Sequence, residues 1–175
     1  MRYVALLRGI NVTGNTMIKM AELKESFESL GLKNVTSYVN SGNLAFDSRK
    51  VPEKGLVKKL EDVIEKDFGK RVQVMVREQN EIPKILSANP YDGEFESHKE
   101  MHVLFLKDEV PKERFAEVRE AAPKAERFTI KGREIYCHLP MGVADSLMGR
   151  GLVEKKLKIP VTARNWRTVQ KLAEL

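Results

Sequence analysis

The sequence holds one cysteine and three histidines in 175 residues, and it has no long apolar run. A single thiol, Cys137, excludes an internal disulfide and fits a reducing compartment. No stretch approaches the roughly 18–20 apolar residues that span a bilayer, so no membrane partner is expected. Met1–Ile10 is a short strand-like run with Arg8 inside it, which is not the pattern of a signal peptide. The expected location is therefore the cytoplasm. His98 and His102 have a metal-ligand spacing only if they are helical, and the residues from Met101 read as a strand. With no third ligand spaced nearby, neither a metal nor a cofactor is expected. Cys137 and His138 are neighbours on a predicted strand, so they face opposite ways and cannot pair as nucleophile and base.

What the chain does contain is apolar periodicity and positive charge. Its hydrophobic content of 42% is enough for a core. The net charge is +6, and Arg150–Lys171 alone carries seven cations against Glu154, so the rest is balanced. Such local asymmetry marks either an anion-binding face or a solvated basic helix.

Periodicity divides the chain into elements. Tyr3–Arg8 reads as a buried strand, and Met20–Leu30 as an amphipathic helix closed by Gly31. Val35–Asn40 and Asn43–Asp47 form a hairpin around Ser41-Gly42. Glu53–Phe68 is a second helix and Arg71–Val76 a strand. The order β-α-β-β-α-β is the ferredoxin-like unit. Helix is predicted over Glu78–Ala88, strand over Met101–Leu106, helix over Pro111–Ala121, and a hairpin over Arg127–Lys131 and Glu134–His138. Gly142–Leu157 is predicted helical, Pro160–Thr162 briefly extended, and Arg164–Leu175 a final helix that Thr162 could cap. The second half thus repeats the first topology incompletely, without a visible sequence repeat. The fold class is α+β, with ferredoxin-like subdomains at 1–77 and 78–175, the latter ending in the C-terminal helix.

Right-handed crossovers put the first and third strands side by side and antiparallel. Arg8-Gly9-Ile10-Asn11 should then meet Asn40-Ser41-Gly42-Asn43 on one rim of the sheet. That is the candidate site, with Arg8, Gly9, Asn11, Asn40, Ser41 and Asn43 as ligand-binding residues. Arg164 and Asn165 are added as polar groups able to reach the same anion. Arg8 and Arg164 would donate charge-assisted hydrogen bonds.

Other chemistries fit less well. Gly9–Thr16 matches the phosphate loop G-x-x-x-x-G-K-[ST] except at Asn15, which lacks the lysine ammonium. Tyr3 and Phe46 occupy strands that carry base-stacking aromatics in RNA-binding relatives of this fold, but the accompanying sequence pattern is missing. Asp145-Ser146 suggests a helix cap or surface chemistry, and no catalytic triad can be assembled.

Three segments carry a resemblance. They are Leu6-Leu7-Arg8-Gly9-Ile10-Asn11-Val12 with Met20-Ala21-Glu22-Leu23, then Tyr38–Phe46, then Thr162–Val169. Together they resemble the bacterial DUF1697 family, of unknown function, across almost the whole chain. The resemblance implies an α+β protein of two ferredoxin-like subdomains and supplies no catalytic residue. It marks Arg8, Asn11, Ser41, Asn43, Arg164, Asn165 and Trp166 as motif positions. The family usually has two glycines at Thr13-Gly14 and a lysine near Asn15–Thr16, where this chain departs.

The expected function is binding of an anionic ligand at the rim, either a phosphate- or carboxylate-bearing small molecule or nucleic acid. One alternative is an enzyme at that rim, with Ser41 or a carboxylate moving a proton. Another is an interaction module whose polar cluster is purely architectural. The oligomeric state is not legible in the sequence.

Overall fold

The computed structural model describes residues 1–14 and 16–175. The chain divides into two compact units, Met1–Lys84 with Gln170–Leu175, and Ile85–Val169.

The first unit contains β1 (Arg2–Leu7), α1 (Met20–Ser29), β2 (Lys33–Tyr38), β3 (Asn43–Asp47), α2 (Glu53–Phe68) and β4 (Val74–Glu78). Its sheet has the order β2-β3-β1-β4, and every neighbouring pair is antiparallel. This is the ferredoxin-like arrangement. One face of β1 presents Tyr3, Ala5 and Leu7 to a core completed by Leu23 and Phe27 of α1 and Leu60 and Ile64 of α2. Val4 and Leu6, on the other face, are fully buried too. Tyr3 and Phe46 stack at 6.0 Å inside the helix-side core. They are therefore packing residues with no face left for a base.

Glycines end the helices as their spacing suggests. Gly31, at φ 83°, gives its N–H to the Glu28 carbonyl at 2.9 Å. Gly69, at φ 67°, does the same for Glu65 at 2.8 Å. Three strands differ from their expected bounds, β1 by one residue at each end and β2 and β4 by more. β2 starts two residues early, because Lys33 already pairs with Asp47 across an irregularity at Asn34, φ 50°, and it stops two residues early at Val39, φ 49°. β4 begins at Val74 rather than Arg71, because its partner β1 turns away at Gly9, φ 68°. It then runs on through Arg77 and Glu78, which pair with Val4 and Tyr3.

The second unit contains the end of α3 (Ile82–Ser87, entered from a 3-10 turn at Gln79–Glu81), β5 (Met101–Leu106), α4 (Lys112–Ala121), β6 (Arg127–Lys131), β7 (Glu134–His138), α5 (Leu152–Leu157) and β8 (Val161–Asn165). The unit boundary falls within α3. The sheet order β6-β7-β5-β8 repeats that of the first unit. Leu104, Leu106, Ile135 and Cys137 face Phe115, Val118, Val153 and Leu157 in the helix-side core. α6 (Trp166–Leu172) follows, and its residues from Gln170 belong with the first unit.

Three segments depart from the expected structure. Only Leu152–Leu157 of Gly142–Leu157 is helical. Gly142 and Gly151 turn the chain at φ 86° and 72°, and a Cβ at Gly149 would lie 1.9 Å from the Val143 carbonyl oxygen. Tight turns, not a helix, fill that stretch. Pro160–Thr162, expected as a brief extended segment, leads into the full strand Val161–Asn165, which completes the second sheet. The last helix starts at Trp166, and its cap is Asn165, whose Oδ1 accepts the Thr168 N–H at 2.9 Å. Thr162 instead accepts a hydrogen bond from Arg164 at 2.6 Å.

The duplication shows at one row of residues. Val4 of β1 pairs with Arg77 of β4, and Val103 of β5 pairs with Arg164 of β8. Each arginine is buried and gives Nη1 to the preceding carbonyl, Val76 or Ala163, at 2.8 Å. In each unit the next residue, Glu78 or Asn165, caps the helical turn that follows.

Candidate binding rim

The rim is made where β1 ends and the β2–β3 turn begins. Leu6 lies opposite Asn43, and the Leu7 N–H donates to the Gly42 carbonyl at 2.9 Å. The close approach depends on Gly42. Its φ is 87°, and a Cβ there would sit 2.7 Å from Leu7 Cβ and 3.0 Å from Ile10 Cδ1. Only glycine meets both demands.

Asn11 ties the long loop to the turn. Its Nδ2 donates to the Ile18 carbonyl at 2.9 Å and to the Asn40 carbonyl at 2.7 Å. Its Oδ1 accepts the Ile18 N–H at 2.7 Å, and its own N–H reaches the Thr16 carbonyl at 3.1 Å. One amide therefore ties Asn11 to Ile18 and fixes both against the turn. Asparagine suits the site because it tolerates the left-handed φ of 55° found here. Asn43 is fully buried and holds the turn from inside, donating to the Tyr38 carbonyl and the Ser41 hydroxyl, both at 3.0 Å. Asn11 and Asn43 thus direct their amides inward. Arg8 and Gly9 are exposed, and the Arg8 N–H donates to the Gln73 carbonyl at 2.9 Å. A Cβ at Gly9 would meet nothing within 4 Å, so a ligand has open access to that backbone.

Two features of the rim escape sequence reading. The first is backbone strain. Asn11, Thr13, Thr16 and Val39 all have left-handed φ, from 45° to 55°. For β-branched residues that is a costly conformation, and such outliers concentrate at functional sites. The second is exposed apolar surface: Val12 is 52% exposed, Met17 66% and Val39 52%. Each is the sequence neighbour of Asn11, Ile18 or Asn40, the residues that the Asn11 amide joins. Val12 and Met17 flank the polar stretch Thr13–Thr16, and that was the available signal.

Other candidates are placed elsewhere. Arg164 and Asn165 belong to β8 of the second unit. Arg164 is 6% exposed, and burial pulls its pKa down to about 10, which leaves it charged at neutral pH. Trp166 is buried and meets Phe95 edge-on at 5.9 Å, as an anchor does. The phosphate-loop reading fails on the described residues. α1 starts only at Met20, and β1 lies between two antiparallel neighbours. Asn15, which stands at the lysine position, lies outside the described residues.

Residues 8–19 and 38–43 contain no histidine, cysteine or carboxylate. The most perturbed groups lie in the second unit. Burial lowers His102 to about 4 and raises the Cys137 thiol well above its ordinary value. Cys137 is in the helix-side core, whereas His138 stacks on Tyr91 at 5.8 Å and meets Arg127 at 2.9 Å. Among the described residues, no three His, Cys, Asp or Glu side chains are grouped to hold a metal. None of the helices there is long and apolar enough to cross a membrane.

The family described as "Protein of unknown function (DUF1697)" matches residues 1–136. The chain belongs to the DUF1697 family. Among solved structures, this DUF1697 protein is similar to the conserved bacterial protein SP0830 from Streptococcus pneumoniae, at 26% identity and a TM-score of 0.76. The likeness covers 99% of this chain and 97% of that one. No curated protein matches it. The motif segments around Arg8 and Ser41 are those the fold joins in the rim, and the segment around Arg164 lies in the second unit.

Proposed function

We propose that this DUF1697 protein is a cytoplasmic binding protein that takes an anionic ligand, bearing phosphate or carboxylate, at the rim of its first unit. The observation that carries this reading is the Asn11 clamp, which holds a strained loop beside the turn while Arg8 and Gly9 stay exposed. Arg8 supplies a charged, forked donor for an oxyanion, and Gly9 admits close approach to the backbone. Val12, Met17 and Val39 offer apolar contact for the rest of the ligand. Binding is favoured over catalysis because the rim sequence has no carboxylate, histidine or thiol, which leaves Ser41 without a general base beside it in the chain. Arg164 and Asn165 are left out of the ligand set, since one is buried and the other caps a helix.

The test is a thermal-shift screen of nucleotides, sugar phosphates, carboxylates and short RNA and DNA at low and high salt. A ligand at 100 times its dissociation constant stabilises the fold by about 2.7 kcal/mol. Arg8→Ala should weaken a true rim ligand at least tenfold, and unchanged affinity would overturn the reading. Shifts with every polyanion that salt erases would replace it with non-specific charge binding.

A further inference from the structure

A cavity of about 570 Å³ lies at the other end of the first sheet, between the close of α1 and the start of α2. The rim adjoins Asn43, where β3 begins, and the cavity takes in Ser48 and Arg49, just past its end at Asp47. The volume is in the usual range for small-molecule sites, roughly 300–1,000 Å³. Leu30, Leu32, Val51 and Leu56 give it an apolar wall, and Arg49 and Lys59 are its only charged lining residues. Among the described residues, neither cation has a carboxylate partner, whereas Lys58, one position from Lys59, pairs with Asp62 at 2.7 Å.

Gly55 gives the cavity a second, independent mark. It lines the space from the first turn of the 16-residue helix α2. Glycine weakens a helix, and its backbone here does not take the left-handed φ that would call for it. Packing does not require it either, since an added Cβ would meet no atom within 4 Å. What glycine preserves at this position is the open volume. The apolar wall excludes a bare inorganic ion as the natural occupant, and two cations without an acid select a negative charge.

We infer that this cavity binds a small amphipathic carboxylate, with its acyl or aryl body against the leucines and its charged end toward Arg49 and Lys59. The site is separate from the rim and does not depend on the function proposed for it.

The test uses the full chain and three probes of equal chain length, octanoate, octanol and octylamine, followed by amide NMR. Octanoate should move the resonances of Gly31, Ser48 and Gly55 and bind at least tenfold more tightly than octylamine. Combined Arg49→Ala and Lys59→Ala should weaken octanoate at least tenfold while leaving octanol unchanged. Gly55→Leu should abolish octanoate binding with a melting temperature at or above that of the wild type, because its side chain enters open space. Arg8→Ala should leave octanoate binding as it was. The inference is overturned if octanoate moves none of these resonances, if octylamine binds as well, or if folded Gly55→Leu still binds octanoate normally.

Discussion

Replacing Asn11 by alanine tests whether its side-chain amide organises the rim. The substitution removes three side-chain hydrogen bonds, at 2.9, 2.7 and 2.7 Å, which join the 11–18 loop to itself and to the turn. A hydrogen bond contributes about 0.5–1.5 kcal/mol net, and the half-exposed site lets water recover part of the loss. The backbone adds to the penalty. Asn11 sits at φ 55°, where leaving asparagine for alanine costs about 1 kcal/mol. Together these predict a destabilisation of about 2–4 kcal/mol. For a chain of this size that corresponds to a fall of about 4–16 °C in Tm, at roughly 2–4 °C per kcal/mol.

Urea denaturation measures the total, and hydrogen exchange localises it. The Ile18 amide, which donates to Asn11 Oδ1, should lose protection before the β1 amides do. Asn11→Asp should also destabilise near neutral pH, because a carboxylate faces the Ile18 and Asn40 carbonyls without a proton to donate. A Tm within about 1 °C of the wild type, with Ile18 still protected, would refute the claim that this amide organises the rim.

Gly42→Ala should cost about 3 kcal/mol or more, from a Cβ 2.7 Å from Leu7 Cβ at φ 87°. Gly9→Ala, at φ 68° with open space around it, should cost only about 1 kcal/mol, and equal costs in denaturant titrations would contradict the packing argument. Cys137 should resist thiol reagents in the native protein and react once unfolded, because its thiol is buried and its pKa raised by burial. His102 is held near 4 against an ordinary 6.5, so its unfolded form takes a proton first. Its contribution is present above pH 6.5 and falls by about 3 kcal/mol as the pH drops to 4, a dependence that His102→Phe should remove from the stability profile. Arg164→Ala should lower Tm by several degrees and leave the affinity of any Arg8-dependent ligand unchanged, which calorimetry can separate.

Elements whose signal is local were legible in the sequence. β3, α2, β5 and both strands of the second hairpin match their expected bounds, because period-2 or helical apolar spacing and a terminating glycine or turn sit within each segment. The meeting of Arg8–Asn11 with Asn40–Asn43 also followed from element order alone, since the ferredoxin-like connection leaves the first and third strands adjacent. What the sequence could not reveal are residues whose conformation depends on distant partners. Arg77 and Arg164 look like strand ends or helix starts by composition, yet each pairs into an edge strand against a central valine. Gly142–Leu157 has helical spacing, but a backbone approach at Gly149 that permits no Cβ makes the residues before Leu152 a run of turns, and only Leu152–Leu157 is helical. The roles of the amides were hidden for the same reason. Asn11 and Asn43 read as ligand groups, and only the folded chain brings them the carbonyls of Ile18, Asn40 and Tyr38 that engage them. By itself, the sequence determined the elements, their order and the residues that meet at the rim. Tertiary structure alone decided which of those polar groups turn inward, because a hydrogen bond is settled by the partner that the fold brings within about 3 Å.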